Sequence, residues 1–424
     1  MLSKRINEKF IGTCFLMYVA FVWIAPSLRI ALFGTAASTG IADSLVTLLP
    51  DILLIVFFAL TVFYFFSRDR KAFHLTFFDK VFFFFWITNV ILGFILAHAF
   101  RLSLLGFRIT YLPMIFYASG RMLVPSKIPM GRIINGLIYI TAFFCIVGIV
   151  IYFCWPNLSA DIAVASGHES GKYFITRMTS ILWTPVLFGT VVLIPLCYCT
   201  YKILVSGNRI GWIFFILFWF CLFMTVSRGP VIAFLIAFIT LVIITREWKR
   251  GIAVFVLMFI ISGSVSYVAV GDLHMLKWMF KSTGETLALD EGVTRVDRWQ
   301  ETWNDFKARP YGYGLGKAGA VAFRYLVNSD VPSAPYSTDG WILKLACETG
   351  IYGVITFLFF CCVYFFRFVR QLMKRRKGTH IVIFALFLAV NAQALISNVY
   401  DFYPYIGIFW MLMGLTESEL EEAP

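Results

Sequence analysis

The chain has 424 residues, 60% of them hydrophobic and only 14% charged, with a mean hydropathy of +0.83. Soluble domains carry nearer a quarter charged residues, so this composition excludes a soluble protein. A formal net charge of +13 would suggest nucleic acid in a soluble chain, but in a membrane chain the positive-inside rule accounts for much of it, and no nucleic-acid partner is expected.

In chain order, the basic start Lys4, Arg5 and Lys9 leads into an apolar run that continues past Ala25 without a clear small-residue cleavage site. It reads as a first span that stays attached. Apolar runs between charged punctuation predict about twelve spans, near 11–33, 45–66, 78–100, 104–123, 133–154, 182–200, 210–226, 230–245, 251–270, 346–366, 381–399 and 404–416. Such runs match a hydrocarbon core of about 30 Å and are too continuous for barrel strands. The expected fold is an all-α polytopic membrane protein, with a large extracytoplasmic loop domain between the ninth and tenth spans.

Three regions follow from this pattern. Residues 1–270 hold nine spans and an outer loop near 155–181, 271–339 form the loop domain, and 340–424 hold the last spans and a short acidic tail. Basic residues mark every second connection: Arg68/Arg70/Lys71, Arg121/Lys127/Arg132, Lys202/Arg209, Arg246/Lys249/Arg250 and the run from Arg367 to Lys377. That alternation predicts cytoplasmic N- and C-termini. In the loop domain, Val296, Trp299, Trp303 and Phe306 recur at helical spacing and predict an amphipathic helix, with Trp299 and Trp303 in its core. Arg309-Pro310 ends it, and Tyr311-Gly-Tyr-Gly-Leu-Gly316 follows as a turn-rich loop suited to close approach of lipid or glycan. It is not a dinucleotide fingerprint, because it has no flanking βαβ unit. The nine cysteines lie almost entirely in apolar runs and the five histidines are scattered, so packing roles are expected, with no metal site and no cofactor.

The outer face carries arginines that the positive-inside rule does not predict: Arg108, Arg177, Arg228, Arg295, Arg298, Arg309 and Arg324. An arginine at a helix centre costs roughly 2.5–3.5 kcal/mol on insertion scales, less near the interface, so something must offset it. Snorkelling or a structural ion pair is one reading. Recognition of an anion is the other, since guanidinium forks hold phosphate through paired charge-assisted hydrogen bonds.

Several of these residues stand in motifs: Arg295-x-x-x-Trp299, Arg309-Pro310-Tyr311-Gly312, Ser227-Arg228-Gly229, Gly106-Phe107-Arg108, and Asp339-Gly340-Trp341-Ile342-Leu343-Lys344-Leu345-Ala346-Cys347-Glu348-Thr349-Gly350. Their order and common face resemble the O-antigen ligase/polymerase superfamily. The resemblance implies a metal-independent, inverting glycosyltransferase on the outer face of a bacterial inner membrane, with undecaprenyl-diphosphate-linked glycans as donor and acceptor. Membrane lipids and a chain-length regulator would be further partners. The ligase branch carries histidine where this chain has Asp339 and asparagine where it has Gly340. Those departures favour a polymerase of O-antigen or exopolysaccharide repeat units.

On this reading Arg228 and Asp339 are the expected catalytic residues, with Arg228 offsetting charge on the diphosphate and Asp339 taking a proton from the acceptor sugar. Asp339 also suits a helix N-cap. Arg108, Arg177, Arg295 and Arg298 are expected to bind the diphosphate, with Arg309, Arg324 and Glu348 as secondary candidates and Asp297 and Asp401 as outside carboxylates. Glu348 is expected to brace its helix or pair with an arginine. A ligase transferring glycan to lipid or protein is the alternative within the superfamily. A lipid-linked glycan flippase or transporter is the alternative of another class, with Asn89, Asn391 and Gln393 as its few midplane polar residues.

Overall fold

The computed structural model describes residues 8–33, 41–67, 74–123, 130–155, 157–158, 177–182, 184–270, 295–326, 340–374, 378–403 and 405–421. The long helices are α1 (Glu8–Phe33), α2 (Ile41–Phe66) and α3 (Phe77–Ala97). A composite span follows, made of α4 (Phe100–Gly106), a π-helical segment (Phe107–Tyr111), a 3-10 turn (Leu112–Met114) and α5 (Ile115–Met122). Next come α6 (Met130–Cys154), α7 (Pro185–Ser206), α8 (Arg209–Met224), α9 (Arg228–Thr245) and α10 (Trp248–Val270). The loop region supplies α11 (Arg295–Ala308) and α12 (Gly319–Leu326), and the chain continues as α13 (Trp341–Lys374), α14 (Gly378–Ala394), a 3-10 turn (Val399–Asp401) and α15 (Gly407–Glu421).

Each expected span coincides with one of these helices or with the composite span. Among the described residues, eight stretches are long and apolar enough to cross a membrane, and Lys9–Ala25, Arg209–Met224 and Gly378–Ala394 are shorter apolar helices. Rows of apolar side chains point outward at four-residue spacing, among them Ile87, Ile91 and Ile95 on α3 and Ile351, Ile355 and Phe359 on α13. Rows of this size are a liability in water and are the surface that lipid covers.

Aromatic rings fill the interior between α3, α13 and α15. Phe85 stacks on Phe360 at 5.8 Å, Phe82 meets Trp410 at 5.5 Å and Tyr364 meets Phe387 of α14 at 4.4 Å. Helices α5 and α15 cross close together through glycine, because a Cβ on Gly120 would lie 2.5 Å from the Met411 carbonyl oxygen. Small residues at a crossing let backbones approach in this way. The three midplane polar residues are spent on packing. Asn89 donates to Thr356 (2.9 Å), Gln393 donates to Thr190 (2.7 Å), and Asn391 accepts from Tyr400 (3.3 Å).

Arg121, one of the expected basic cytoplasmic set, lies in the last turn of α5. Its side chain is buried and forms a two-pronged pair with Asp79 at 2.8 and 2.7 Å, so its charge is neutralised inside the protein.

The tenth span also differs from expectation. Helix α13 starts at Trp341 rather than near 346, and it breaks at Gly350, where φ is 68° and ψ −161°. A break frees carbonyl and amide groups that a buried site must satisfy. The 310–316 strip does so: Tyr313 and Gly314 donate to the carbonyls of Cys347 (2.8 Å) and Glu348 (2.9 Å), and the Ile351 amide donates to Pro310 (2.9 Å). Leu315 donates to the Gly93 carbonyl near the end of α3 at 2.9 Å. The glycines of Tyr311-Gly-Tyr-Gly-Leu-Gly make close contact with protein backbone at Glu348, Ala97 and Leu102.

Gly314 has φ 101°, and a Cβ there would run into the backbone of Ala97. Gly314→Ala is expected to cost roughly 2–6 kcal/mol from backbone strain and overpacking. The check is recovery of monodisperse protein from detergent, with Gly131→Ala as control, since nothing lies within 4 Å of that position.

In the loop region α11 forms as expected and ends at Ala308. Its outward face differs: Val296 is 53% and Trp303 50% exposed, while Thr302 is fully buried. Packing against α13 selects the face carrying Thr302, whose carbonyl receives the Cys347 thiol at 3.7 Å. Trp299 is half-buried and Trp303 lies outside the core. Cys145, Cys197, Cys199, Cys221 and Cys347 are buried packing residues, whereas Cys154 and Cys362 are exposed.

Candidate functional site

The link between α8 and α9 is a tight turn in which Val226 takes φ 49°. Arg177 holds it from the preceding loop. Its Nε donates to Thr225 O (3.0 Å), and one terminal nitrogen donates to Val226 O (3.1 Å) and Ser227 Oγ (2.9 Å). The carbonyls that close α8 form the negative end of a helix dipole, which a guanidinium suits. Three N–H groups of Arg177 are thus engaged within the protein. Arg177, expected from the sequence to bind diphosphate, braces the turn that carries Arg228.

Arg228 is the first residue of α9, and Ser227 precedes it without a side-chain cap. Cations are disfavoured at the positive end of a helix, so this position has an electrostatic cost. Arg228 is partly buried. The next residue, Gly229, faces Gln393 and Ile396, each 3.7 Å from where its Cβ would stand.

The same 393–397 turn receives the start of α13. The Trp341 amide donates to Ser397 O at 3.3 Å, and a Cβ on Gly340 would lie 2.6 Å from Leu395 O. Gly340 has φ 122°, a conformation that essentially only glycine adopts. Glycine at position 340 meets this backbone requirement. Asp339, one residue earlier, lies outside the described residues, as do the side chains of Arg295 and Arg324. The backbone therefore brings Arg228-Gly229 and Gly340 to one turn although Gly340 lies 112 positions after Arg228 in sequence.

Arg108 sits in the π-helical segment and is held by an ion pair. Its Nε lies 2.8 Å from Asp51, a terminal nitrogen donates to Thr47 O at 2.9 Å, and the guanidinium lies 5.8 Å from the centre of the Tyr403 ring. The Tyr403 hydroxyl also donates to Asp51. Of the two readings open for Arg108, the ion pair is the one seen, with 27% of the side chain still exposed.

A buried polar cluster that sequence reasoning missed lies beside it. Lys344 Nζ is 2.8 Å from Asp401 Oδ2, 2.8 Å from Thr110 Oγ1 and 3.5 Å from Glu348 Oε2. Thr110 also donates to Asp401 (2.8 Å), and Glu348 accepts from the Gly316 amide (2.8 Å). Glu348 thus pairs with lysine rather than arginine. Its signal was available, because Lys344 and Glu348 stand four residues apart in an otherwise apolar helix.

Arg309 is occupied as well, lying 5.2 Å from the ring centres of both Tyr311 and Tyr313. Burial, and then the charge of Arg309, lowers the pKa of nearby Lys317 below its ordinary value. Arg298 is partly buried on α11.

These features define a helical membrane protein. The family model described as O-antigen ligase matches residues 213–358, from α8 into α13. That match supports the resemblance to the O-antigen ligase/polymerase superfamily. It spans Arg228, Arg295, Arg298, Arg309, Arg324, Asp339 and Glu348, leaves Arg108 and Arg177 outside, and does not separate polymerase from ligase. No curated protein matches the chain.

Proposed function

We propose that the protein polymerises undecaprenyl-diphosphate-linked repeat units on the outer face of a bacterial inner membrane. The observation that carries this reading is the turn braced by Arg177, with Arg228 at the head of α9 and the Gly340 backbone packed on the same 393–397 turn. In this mechanism Arg228 holds the donor diphosphate. As the glycosidic bond breaks, the leaving oxygen gains negative charge, and a fixed guanidinium stabilises it without reorganising. Asp339 takes the proton from the acceptor hydroxyl as that oxygen attacks the anomeric carbon from the opposite face, which inverts the centre. Arg108, Arg295 and Arg298 belong to the binding surface.

The ligase reading shares the donor and draws on the description of the matched family. The aspartate and glycine at 339 and 340 count against it. A carbohydrate gel of null and complemented cells tests both. Loss of a polymerase leaves acceptors with single repeat units, whereas bare acceptors with carrier-linked polymer would replace this reading by the ligase. Asp339→Asn is expected to lower transfer by about 100-fold or more, the usual scale for a general base. Full activity in that variant would reduce Asp339 to a helix cap.

A further inference from the structure

We infer that Lys344 is a positioning residue for transfer, joining the segment that carries Arg108 to the start of α13 through Thr110 and Asp401. The inference rests on the glycosyltransferase reading above. Lys344 is 1% exposed, so its ammonium acts through other groups rather than on substrate.

An ammonium has three N–H donors, and here they meet acceptors on three structural pieces. Thr110 belongs to the π-helical segment, Asp401 to the 3-10 turn after α14, and Glu348 to α13 itself. Glu348 extends the contact to a fourth piece, the loop, through the Gly316 amide. The π-helical segment is pinned to one turn at two points: Thr110 reaches Asp401, and Arg108 shares Asp51 with Tyr403. The other end of the lever is short, because the Lys344 amide donates to Gly340 O at 3.1 Å. Lys344 thus stands one helical turn from the residue that follows Asp339.

Why should this matter for rate rather than for folding alone? A π-helical insertion departs from α-helical register and is often found at functional sites. Its side chains are aimed by tertiary contacts, and small displacements of a charge-stabilising group can cost up to about 100-fold in rate. Binding of substrate by groups outside the cluster would survive such a displacement.

The test uses the purified full-length protein and the lipid-linked repeat unit extracted from null cells. Lys344→Met alone leaves two buried carboxylates without their cation, and it is expected to lower both melting temperature and transfer. The informative variant is Lys344→Met/Asp401→Asn/Glu348→Gln, in which no charge is stranded. Its melting temperature is expected to return to within a few degrees of wild type and its KM to stay within about threefold, while kcat remains roughly 10- to 100-fold low. Recovery of wild-type kcat in this variant would make the cluster a purely structural clamp and overturn the inference. Should the triple variant not fold, Thr110→Val decides, because it loosens the π-helical segment without burying a charge. A kcat reduced about threefold or more at unchanged KM supports the inference, and unchanged kcat overturns it. Wild-type protein without transfer would instead remove the enzyme reading itself.

Discussion

Arg228→Ala is expected to abolish detectable polymer while the protein stays folded in the membrane. The rate effect follows from the chemistry assigned to the guanidinium. Removing one preorganised group that stabilises developing charge costs about 10²–10³ in rate, and transition-state arginines on phosphoryl groups reach about 10³–10⁵. The fold should tolerate the change, because Arg177 bonds to the backbone of 225–226 and to the Ser227 hydroxyl and so braces the turn. Removing a cation from the positive end of α9 also relieves an unfavourable dipole interaction. Arg228→Lys keeps the charge but loses the two-pronged geometry, and an intermediate loss of about tenfold is expected. Chain length on a carbohydrate gel, read beside the membrane level by immunoblot, checks both variants. Near-normal polymer from Arg228→Ala would take this residue out of the mechanism.

Arg121→Ala is expected to be strongly destabilising, and its effect belongs to folding rather than to transfer. Asp79 is fully buried and Arg121 is 4% exposed. Their pair is completed by Tyr117, which donates to Asp79 at 2.5 Å, and by Ser418, which accepts from Arg121 at 2.9 Å. One cation thereby joins α3, α5 and α15. Breaking a buried pair by removing one partner costs about 3–5 kcal/mol, because the other charge is left uncompensated. Total stability of a domain is about 5–15 kcal/mol, so accumulation in the membrane should fall sharply. Thermal unfolding in detergent of Arg121→Ala, Asp79→Ala and the double Arg121→Met/Asp79→Leu separates the terms, with the double variant expected to be milder than either single one. A melting temperature for Arg121→Ala within a degree or two of wild type would show that the pair contributes nothing.

Hydropathy alone was enough for the helices, and the reason is local. Lipid supplies no hydrogen bonds, so each crossing segment must satisfy its own backbone, and the apolar run and the helix become the same object. The amphipathic helix ending before Arg309-Pro310 was legible for a similarly local reason, since proline disfavours helical backbone at the residue before it. The excess of arginine away from the basic connections was also visible, and so was the superfamily resemblance. What each charge touches was decided only by tertiary structure. Arg121 finds Asp79, Arg108 finds Asp51, and Lys344 joins Thr110 to Asp401 across 291 positions of sequence. Likewise, the spacing of Val296 and Trp303 marked a helix but not the side it turns to α13, and the glycines of 312–316 announced close approach without saying to what. Spacing along a chain is a property of neighbours in sequence; the pairing of charges and the docking of backbones depend on which segments packing brings together, and that is settled only when the whole bundle closes.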